Sequence, residues 1–248
     1  MGVFMNIHVL KNAKELGAEA AKRIAVLLRE AIKQNGSARL LLSTGASQFE
    51  TLSALVKEKL DWSKVEMFHL DEYVGLPENH KASFRVYLKK RFTSKLKLKA
   101  VHFVNGEGNV NAHIRALSRE FARAPIDVGV IGIGENGHVA FNDPPADFKT
   151  KKTYIIVKLD KKCKKQQVGE GWFASEAEVP PRAISISPYA IMKCKHLISS
   201  VPHKVKAGAI FNTLTKKKTP FVPATILKDH PDWHLYLDMG SSSKVFPV

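Results

Sequence analysis

The feature that most constrains the fold is an alternation of short apolar runs with longer amphipathic stretches. Residues 38–43 and 126–131 are mainly apolar and of strand length, whereas residues 13–34 carry apolar side chains at helical spacing before Gly36. Strands that alternate with helices predict a parallel sheet, because each parallel connection needs a crossover. We therefore predict a single-domain α/β fold over residues 1–248, with a mostly parallel sheet and helices on both faces (a Rossmann-like three-layer sandwich).

The same patterns assign the remaining elements. Strands are predicted at residues 5–10, 65–70, 101–104, 154–159, 183–186, 196–201 and 233–237, and helices at residues 48–60, 83–96, 111–124, 204–214 and 223–228. Residues 1–4 are interpreted as an extension. The pattern weakens later in the chain, and residues 166–173 have no clear period, so we predict a mobile lid over about residues 161–182.

The net charge of +16 allows either an anionic small molecule or a nucleic acid as partner. Nucleic-acid grooves combine basic and aromatic side chains, but the lysine cluster at residues 149–165 offers only Phe148 and Tyr154. The composition therefore argues for a small-molecule ligand and against a nucleic acid. Oligomeric state is left open, a homo-oligomer included.

The chain is expected to work in the cytoplasm. No apolar run approaches the ~20 residues that cross a bilayer, so no membrane partner is predicted. The two cysteines, Cys163 and Cys194, lack the spacing of a zinc knuckle or a disulfide framework and are expected to be reduced thiols.

A glycine-rich loop follows the strand at residues 126–131. Its Gly-x-Gly-x-x-Gly pattern at residues 132–137 suggests dinucleotide binding, but that reading needs a helix at the third glycine, and Pro144 and Pro145 argue against one. His138 lies among the glycines, and Asp143 could orient its ring if the loop folds back. A histidine oriented by a carboxylate is a common acid–base arrangement.

Two more polar segments follow predicted strands, and the carboxyl ends of parallel strands meet at one edge. Residues 43–47 form either a phosphate-binding turn or an ordinary capped helix start, and they lack the lysine of a nucleotide-binding P-loop. Asp71 and Glu72 are either a catalytic base and its neighbour or a surface acid pair. His69 and Asp71 have no third ligand at a suitable spacing, so no metal site is predicted.

Four segments together resemble the glucosamine-6-phosphate deaminase (isomerase) family over roughly residues 5–240. They are Ser43-Thr-Gly-Ala-Ser47, Leu70-Asp-Glu-Tyr-Val-Gly-Leu76, Gly132-Ile-Gly-Glu-Asn-Gly-His-Val-Ala-Phe-Asn-Asp143 and Ser200-Val-Pro-His-Lys-Val-Lys-Ala207. The related 6-phosphogluconolactonases share the fold and a Gly-His pair, but not the second segment or the Ala-Phe-Asn sequel.

The resemblance implies conversion of glucosamine 6-phosphate and water to fructose 6-phosphate and ammonium, without metal or organic cofactor. Asp71 would move a proton from C2 to C1 through an enolamine, and His138 would assist opening of the pyranose ring. The implied substrate- and phosphate-binding residues are Ser43, Thr44, Gly45, Ala46, Ser47, Glu72, Gly137 and Lys206.

The chain departs from the family pattern at three places. Asn136 stands where an aspartate is usual, and Asp143 stands where a glutamate is usual. Asn136 is expected to orient the imidazole by hydrogen bonding alone. The lid lacks the expected arginine, which leaves Lys151 or Lys164 as substitutes and puts allosteric control by an N-acetylated sugar phosphate in doubt.

Two alternatives to the deaminase remain. One is a lactonase of the same fold, and the other is a non-catalytic basic binding paralogue.

Overall fold

A seven-stranded parallel sheet forms the centre of the computed structural model, which describes residues 6–246. The strands of the protein are β1 Asn6–Leu10, β2 Ala38–Leu42, β3 Val65–His69, β4 Asp71–Tyr73, β5 Ala100–His102, β6 Val128–Val130, β7 Tyr154–Lys158, β8 Arg182–Ile186, β9 His196–Val201 and β10 Trp233–Asp238. The helices are α1 Ala13–Asn35, α2 Phe49–Leu55, α3 Phe84–Arg91, α4 Val110–Ala122, α5 Lys161–Gly169, α6 Pro188–Ile191, α7 Ala207–Thr215 and α8 Met239–Ser242.

The order of strands in this sheet is β1-β10-β9-β6-β2-β3-β5. The chain builds outward from β2 through β3 and β5, then returns to β6 and continues in the opposite direction. The strand order therefore reverses between β2 and β6. In open α/β sheets, a reversal of this kind leaves a crevice at the carboxyl ends of the strands.

Helices cover both faces of the sheet, as predicted. Successive side chains of β2 point to opposite sides. Leu41 belongs to an apolar cluster with Phe121 of α4, whereas Leu40 and Leu42 belong to a second cluster with Ile24 of α1. The single-domain α/β prediction is confirmed.

A second, antiparallel sheet was not predicted. It has the order β4-β8-β7, with Asp71 opposite Ser185 and Glu72 opposite Ile184. The apolar patterns of β7 and β8 indicated strands correctly, but they carry no information on the partner strand. The chain leaves the parallel sheet at His69 and enters the small sheet at Asp71.

Several predicted helices are shorter in the structure. The helix predicted at 48–60 consists of a 3₁₀ turn, Ala46–Gln48, followed by α2, and the helix predicted at 83–96 ends at Arg91. The loop predicted at 166–173 is partly helical. There, Asp160 caps α5 by accepting a hydrogen bond from the Cys163 amide.

Two expectations concern the ends of the chain and membranes. The extension proposed for residues 1–4 lies outside the described residues. Among residues 6–246, no helix combines the length and the apolar character needed to cross a membrane.

Candidate active site

A cleft opens at the carboxyl edge of the parallel sheet, beside β2 and β6. The three predicted polar segments meet there, and α5 and the turn before α7 complete the walls. Its polar and glycine lining residues are Ser43, Thr44, Gly45, Ser47, Asp71, Gly132, Gly134, His138, Gln166, Gln167, Glu170 and Lys206, and Ala46 also lines it. This edge lies at the reversal of strand order, where such sheets bind their ligands.

The turn after β2 lines the cleft with residues 43–47. Gly45 has a φ of +96°, a left-handed conformation that favours glycine, and it lets the chain turn from β2 into the 3₁₀ turn. The Tyr87 hydroxyl donates to the Gly45 carbonyl (2.9 Å), and Gln48 Nε2 donates to the carbonyl of Ser200 (3.1 Å). These bonds hold the turn from behind, so its amides and hydroxyls are fixed in place for an anion.

Lys206 is the one lysine or arginine among the residues that line the cleft. It ends the 3₁₀ turn Lys204–Lys206, and only 5% of it is exposed. Burial lowers the pKa of Lys206, while the charges of Glu170 and Glu135 oppose this; Lys206 Nζ lies 3.9 Å from Glu135 Oε1. Because the ammonium of Lys206 is buried and its ion pair with Glu135 is long, it is well placed to receive an anionic ligand.

The glycine loop brings His138 against Asp143. His138 Nδ1 lies 3.1 Å from Asp143 Oδ1, and both side chains are largely buried. Burial by itself raises the pKa of Asp143, but the adjacent imidazole of His138, together with hydrogen bonds from Asn136 and the Asp160 amide, outweighs this and lowers it. The carboxylate therefore fixes Nδ1, which leaves Nε2 as the ring nitrogen free to exchange a proton.

Asn136 does not orient the imidazole directly, contrary to expectation. Its Nδ2 donates to Asp143 Oδ1 (3.1 Å), and its Oδ1 accepts from the His138 backbone amide (3.0 Å). The amide thus supports the carboxylate that faces the ring. Sequence spacing alone did not distinguish these two partners, since both lie within one loop.

Gly134 and Gly137 allow the loop to close. Gly137 has a φ of +84° and donates to the Gly134 carbonyl (2.9 Å), while the amide of Gly134 donates to the His138 carbonyl (2.9 Å). No helix follows Gly137, since the next regular element is β7. This agrees with the sequence argument against a dinucleotide-binding loop. Gly137 supports the loop but does not line the cleft.

Asp71 faces the cleft from the first position of β4, with 5% of it exposed. Burial, aided by the negative charge of Glu72, raises the pKa of Asp71 well above its usual range. A carboxylate that is desolvated in this way is a stronger base than one in water.

Glu72 was expected to bind substrate, but it does not line the cleft. Adjacent strand residues point to opposite faces, and Glu72 Oε2 instead lies 3.3 Å from Arg85 Nε. We therefore place Glu72 behind the cleft rather than in it.

His69 belongs to the protein interior. Burial lowers the pKa of His69 to about 3, and its Nδ1 accepts from the Val104 amide (3.3 Å). Within residues 6–246 no three histidine, cysteine or carboxylate side chains cluster as metal ligands would.

Helix α5 covers the cleft with side chains that sequence reasoning missed. Gln167 accepts from the Tyr73 hydroxyl (2.7 Å), and Glu170 accepts from Gln166 Nε2 (2.7 Å) and Trp172 Nε1 (2.9 Å). The cleft beneath has a free volume of about 70 Å³. Typical ligand sites are ~300–1,000 Å³, so the cleft beneath α5 is narrow.

Neither lysine suggested for the lid reaches the cleft. Lys151 lies over the ring of Tyr189, 4.9 Å from its centroid, in a separate groove on the far side of Asp143. Lys164 lies on α5 but does not line the cleft either. The side chains that α5 does contribute there are the neutral Gln166 and Gln167, and the acidic Glu170 follows at the end of the helix.

A parallel α/β sheet with an acid–base pair and a buried lysine at its switch point defines an enzyme that acts on small anionic molecules. The chain belongs to the family of glucosamine-6-phosphate isomerases and 6-phosphogluconolactonases. The sequence model of that family matches residues 11–235.

Similarity to individual proteins supports this family assignment. A glucosamine-6-phosphate deaminase of Staphylococcus epidermidis is 32% identical over 224 residues, covering 87% of this chain and 90% of that protein. A solved monomeric glucosamine-6-phosphate deaminase has a TM-score of 0.88 at 26% identity, covering 97% of this chain and 100% of that one. The 6-phosphogluconolactonase of Trypanosoma brucei shares the fold, with a TM-score of 0.81 at 15% identity over 99% and 100% of the two chains.

Proposed function

We propose that this protein is an amino-sugar phosphate deaminase that isomerises its substrate. It converts glucosamine 6-phosphate and water to fructose 6-phosphate and ammonium. The observation that carries the proposal is the meeting of Asp71, His138 and Lys206 in one cleft, although they are far apart in sequence. The similarity to deaminases along most of the chain supports it.

The phosphate is the group that this site can hold most firmly. The hydroxyls of residues 43–47, the amides of residues 44–47 and the ammonium of Lys206 are proposed to surround it, since these residues line the cleft. The Ser43 amide already donates to the Val130 carbonyl (3.1 Å). Binding energy from this remote group aligns the reacting carbons with the base.

Ring opening is assigned to His138. Its Nε2 passes a proton between the anomeric hydroxyl and the ring oxygen, while Asp143 holds Nδ1. The relay therefore uses one carboxylate, supported by the neutral amide of Asn136.

Asp71 then removes the proton at C2 of the open chain. The electrons of that C–H bond form a C1–C2 double bond while those of the C1–O double bond move to O1, which takes a proton from water, giving an enolamine. Asp71 then returns the proton to C1, and the nitrogen lone pair forms the C2–N double bond. The resulting imine at C2 adds water and expels ammonia. A well-aligned base of this kind contributes ~10²–10⁴-fold to the rate.

The test is ammonium release by the purified chain from a panel of hexosamine 6-phosphates. Glucosamine 6-phosphate is expected to turn over, and Asp71→Asn is expected to lose turnover while still binding inorganic phosphate. Asp229→Asn is the matched control, because Asp229 is exposed and, within residues 6–246, pairs only with Lys218. Full activity of Asp71→Asn would remove Asp71 from the base role.

The same protein tests the lactonase alternative. Hydrolysis of 6-phosphogluconolactone without ammonium release from any amino sugar would select it.

We place the activity in the cytoplasm, where the free and buried thiols of Cys163 and Cys194 stay reduced.

A further inference from the structure

A buried ion pair that the proposed reaction does not use lies directly behind the candidate base. Glu72 follows Asp71 on β4 and is completely buried, and its partner Arg85, near the start of α3, is 3% exposed. Buried charges are expensive and are not needed for stability, since apolar replacements are often as stable. Their position beside Asp71 suggests a role in the site.

Every contact of the Glu72 carboxylate is with a hydrogen-bond donor. Its Oε1 accepts from the Tyr73 amide (2.9 Å). Its Oε2 accepts from the Ser83 hydroxyl (2.8 Å), the Arg85 amide (3.0 Å) and Arg85 Nε (3.3 Å). Burial raises the pKa of Glu72 and these donors oppose the rise. Two backbone amides and a guanidinium among these donors favour the ionised, acceptor-only form.

Arg85 is itself held in place. Its Nη2 donates to Glu107 Oε2 (2.8 Å) and to the Leu76 carbonyl (3.0 Å), and its Nη1 donates to Asn105 Oδ1 (2.9 Å). The ion pair is therefore a fixed part of the frame around β4. That strand is only three residues long and pairs with β8 alone.

The other titratable groups near Asp71 fall into two sets. Those buried around it are neutral: burial raises the pKa of Tyr73, Tyr154 and Cys163, and burial lowers the pKa of His69. His138, Glu170 and Lys206 line the cleft with Asp71. The ion pair of Glu72 and Arg85 lies on the other side, behind β4.

We propose that Glu72, clamped by Arg85, is a positioning residue that fixes β4 and makes Asp71 a stronger base through its negative charge. This inference rests on the proposed function of Asp71. It predicts that the charge of Glu72, and not only its hydrogen bonds, sets the pH at which the enzyme becomes active.

The test is the pH profile of kcat/KM for Glu72→Gln. Loss of the negative charge favours ionisation of Asp71, so the midpoint of the acidic limb should fall by about one pH unit. The weaker base should lower kcat on the plateau by about threefold, with KM little changed. An unchanged midpoint together with a lower kcat would show a merely structural role and overturn the proposal.

Two variants serve as controls. Glu107→Gln removes a carboxylate from the far side of the same arginine, and Ser83→Ala removes one hydrogen bond from Glu72 but keeps its charge. Neither should move the midpoint. If Glu72→Gln does not fold, Glu72→Gln combined with Arg85→Met removes the pair as a unit. The midpoint should then fall by less, because loss of the positive charge of Arg85 opposes the effect of losing Glu72.

A readout without turnover separates this inference from the proposed function. The carboxyl band of Asp71 can be titrated by infrared difference spectroscopy and assigned with Asp71→Asn. A lower pKa of Asp71 in Glu72→Gln would support the inference even if no hexosamine phosphate were turned over. An unchanged pKa would overturn it even in an active enzyme.

Discussion

Gly134 is the position where a single methyl group should disable the proposed relay. A Cβ added there would lie 2.5 Å from His138 Cδ2 and closer still to Cε1 and Nε2. Carbon atoms in contact prefer ~3.5–4.0 Å, so the ring would have to withdraw by about 1 Å or more. Gly134 has no left-handed φ, so alanine adds no backbone strain.

The expected result of Gly134→Ala is a large loss of kcat with a folded protein. A displacement of 1 Å in a catalytic group can reduce the rate ~10²-fold. Overpacking typically lowers stability by ~1–3 kcal/mol. The assay is coupled ammonium release at saturating glucosamine 6-phosphate, with thermal denaturation to establish folding.

Gly208→Ala is the matched control, because a Cβ there meets nothing closer than Lys244 Nζ at 3.9 Å. The decisive comparison is a double-mutant cycle with His138→Ala. If the methyl group acts through the ring, Gly134→Ala should have little further effect once the ring is gone. An equal loss in both backgrounds, or wild-type kcat for Gly134→Ala, would refute this reasoning.

Four further outcomes are expected. Asp71→Asn should raise the melting temperature, by an amount that grows as pH rises from ~4, because the folded pKa of Asp71 is raised and its ionisation destabilises the fold. Asp143→Asn should lower the melting temperature at neutral pH. The difference should vanish in acid, as the pH falls through the lowered pKa of Asp143 in the folded protein. Calorimetry at several pH values checks the Asp71 and Asp143 variants alike. Lys206→Ala should raise KM and the inhibition constant of inorganic phosphate roughly 10–100-fold, and the exposed Lys204→Ala should change neither. Emission from Trp172 should change when a sugar phosphate binds and moves α5, and Trp172→Phe should abolish that change; an unaffected emission would mean that α5 stays fixed.

The fold was largely predictable because its signals are local. Residues 38–42 and 128–130 are short and mainly apolar, as is typical of strands in a sheet covered on both faces. The alternation with helices then specified a parallel arrangement. The small antiparallel sheet escaped prediction, because the pairing of β4 with β8 joins residues more than 100 positions apart.

The candidate site was predicted in part for a similar reason. Strand ends collect at one edge of a parallel sheet, so residues 43–47, Asp71 and His138 could be brought together without coordinates. The contacts of Asn136 with Asp143 and of Glu72 with Arg85 were not predicted, because each side chain could reach more than one group and only the packed structure selects between them.

The sequence by itself determined the α/β architecture, the edge that carries the cleft and the chemical groups available there. The spacing of apolar residues that indicates helices and strands follows from backbone geometry, which is the same in every protein. Only the tertiary structure decided which face of β4 Glu72 occupies and that Asp143 lies against the His138 ring. It also decided that α5 covers the site, with a hydrogen bond from the Tyr73 hydroxyl to Gln167. These outcomes depend on burial and on contacts between distant segments, and both arise only when the whole chain has packed.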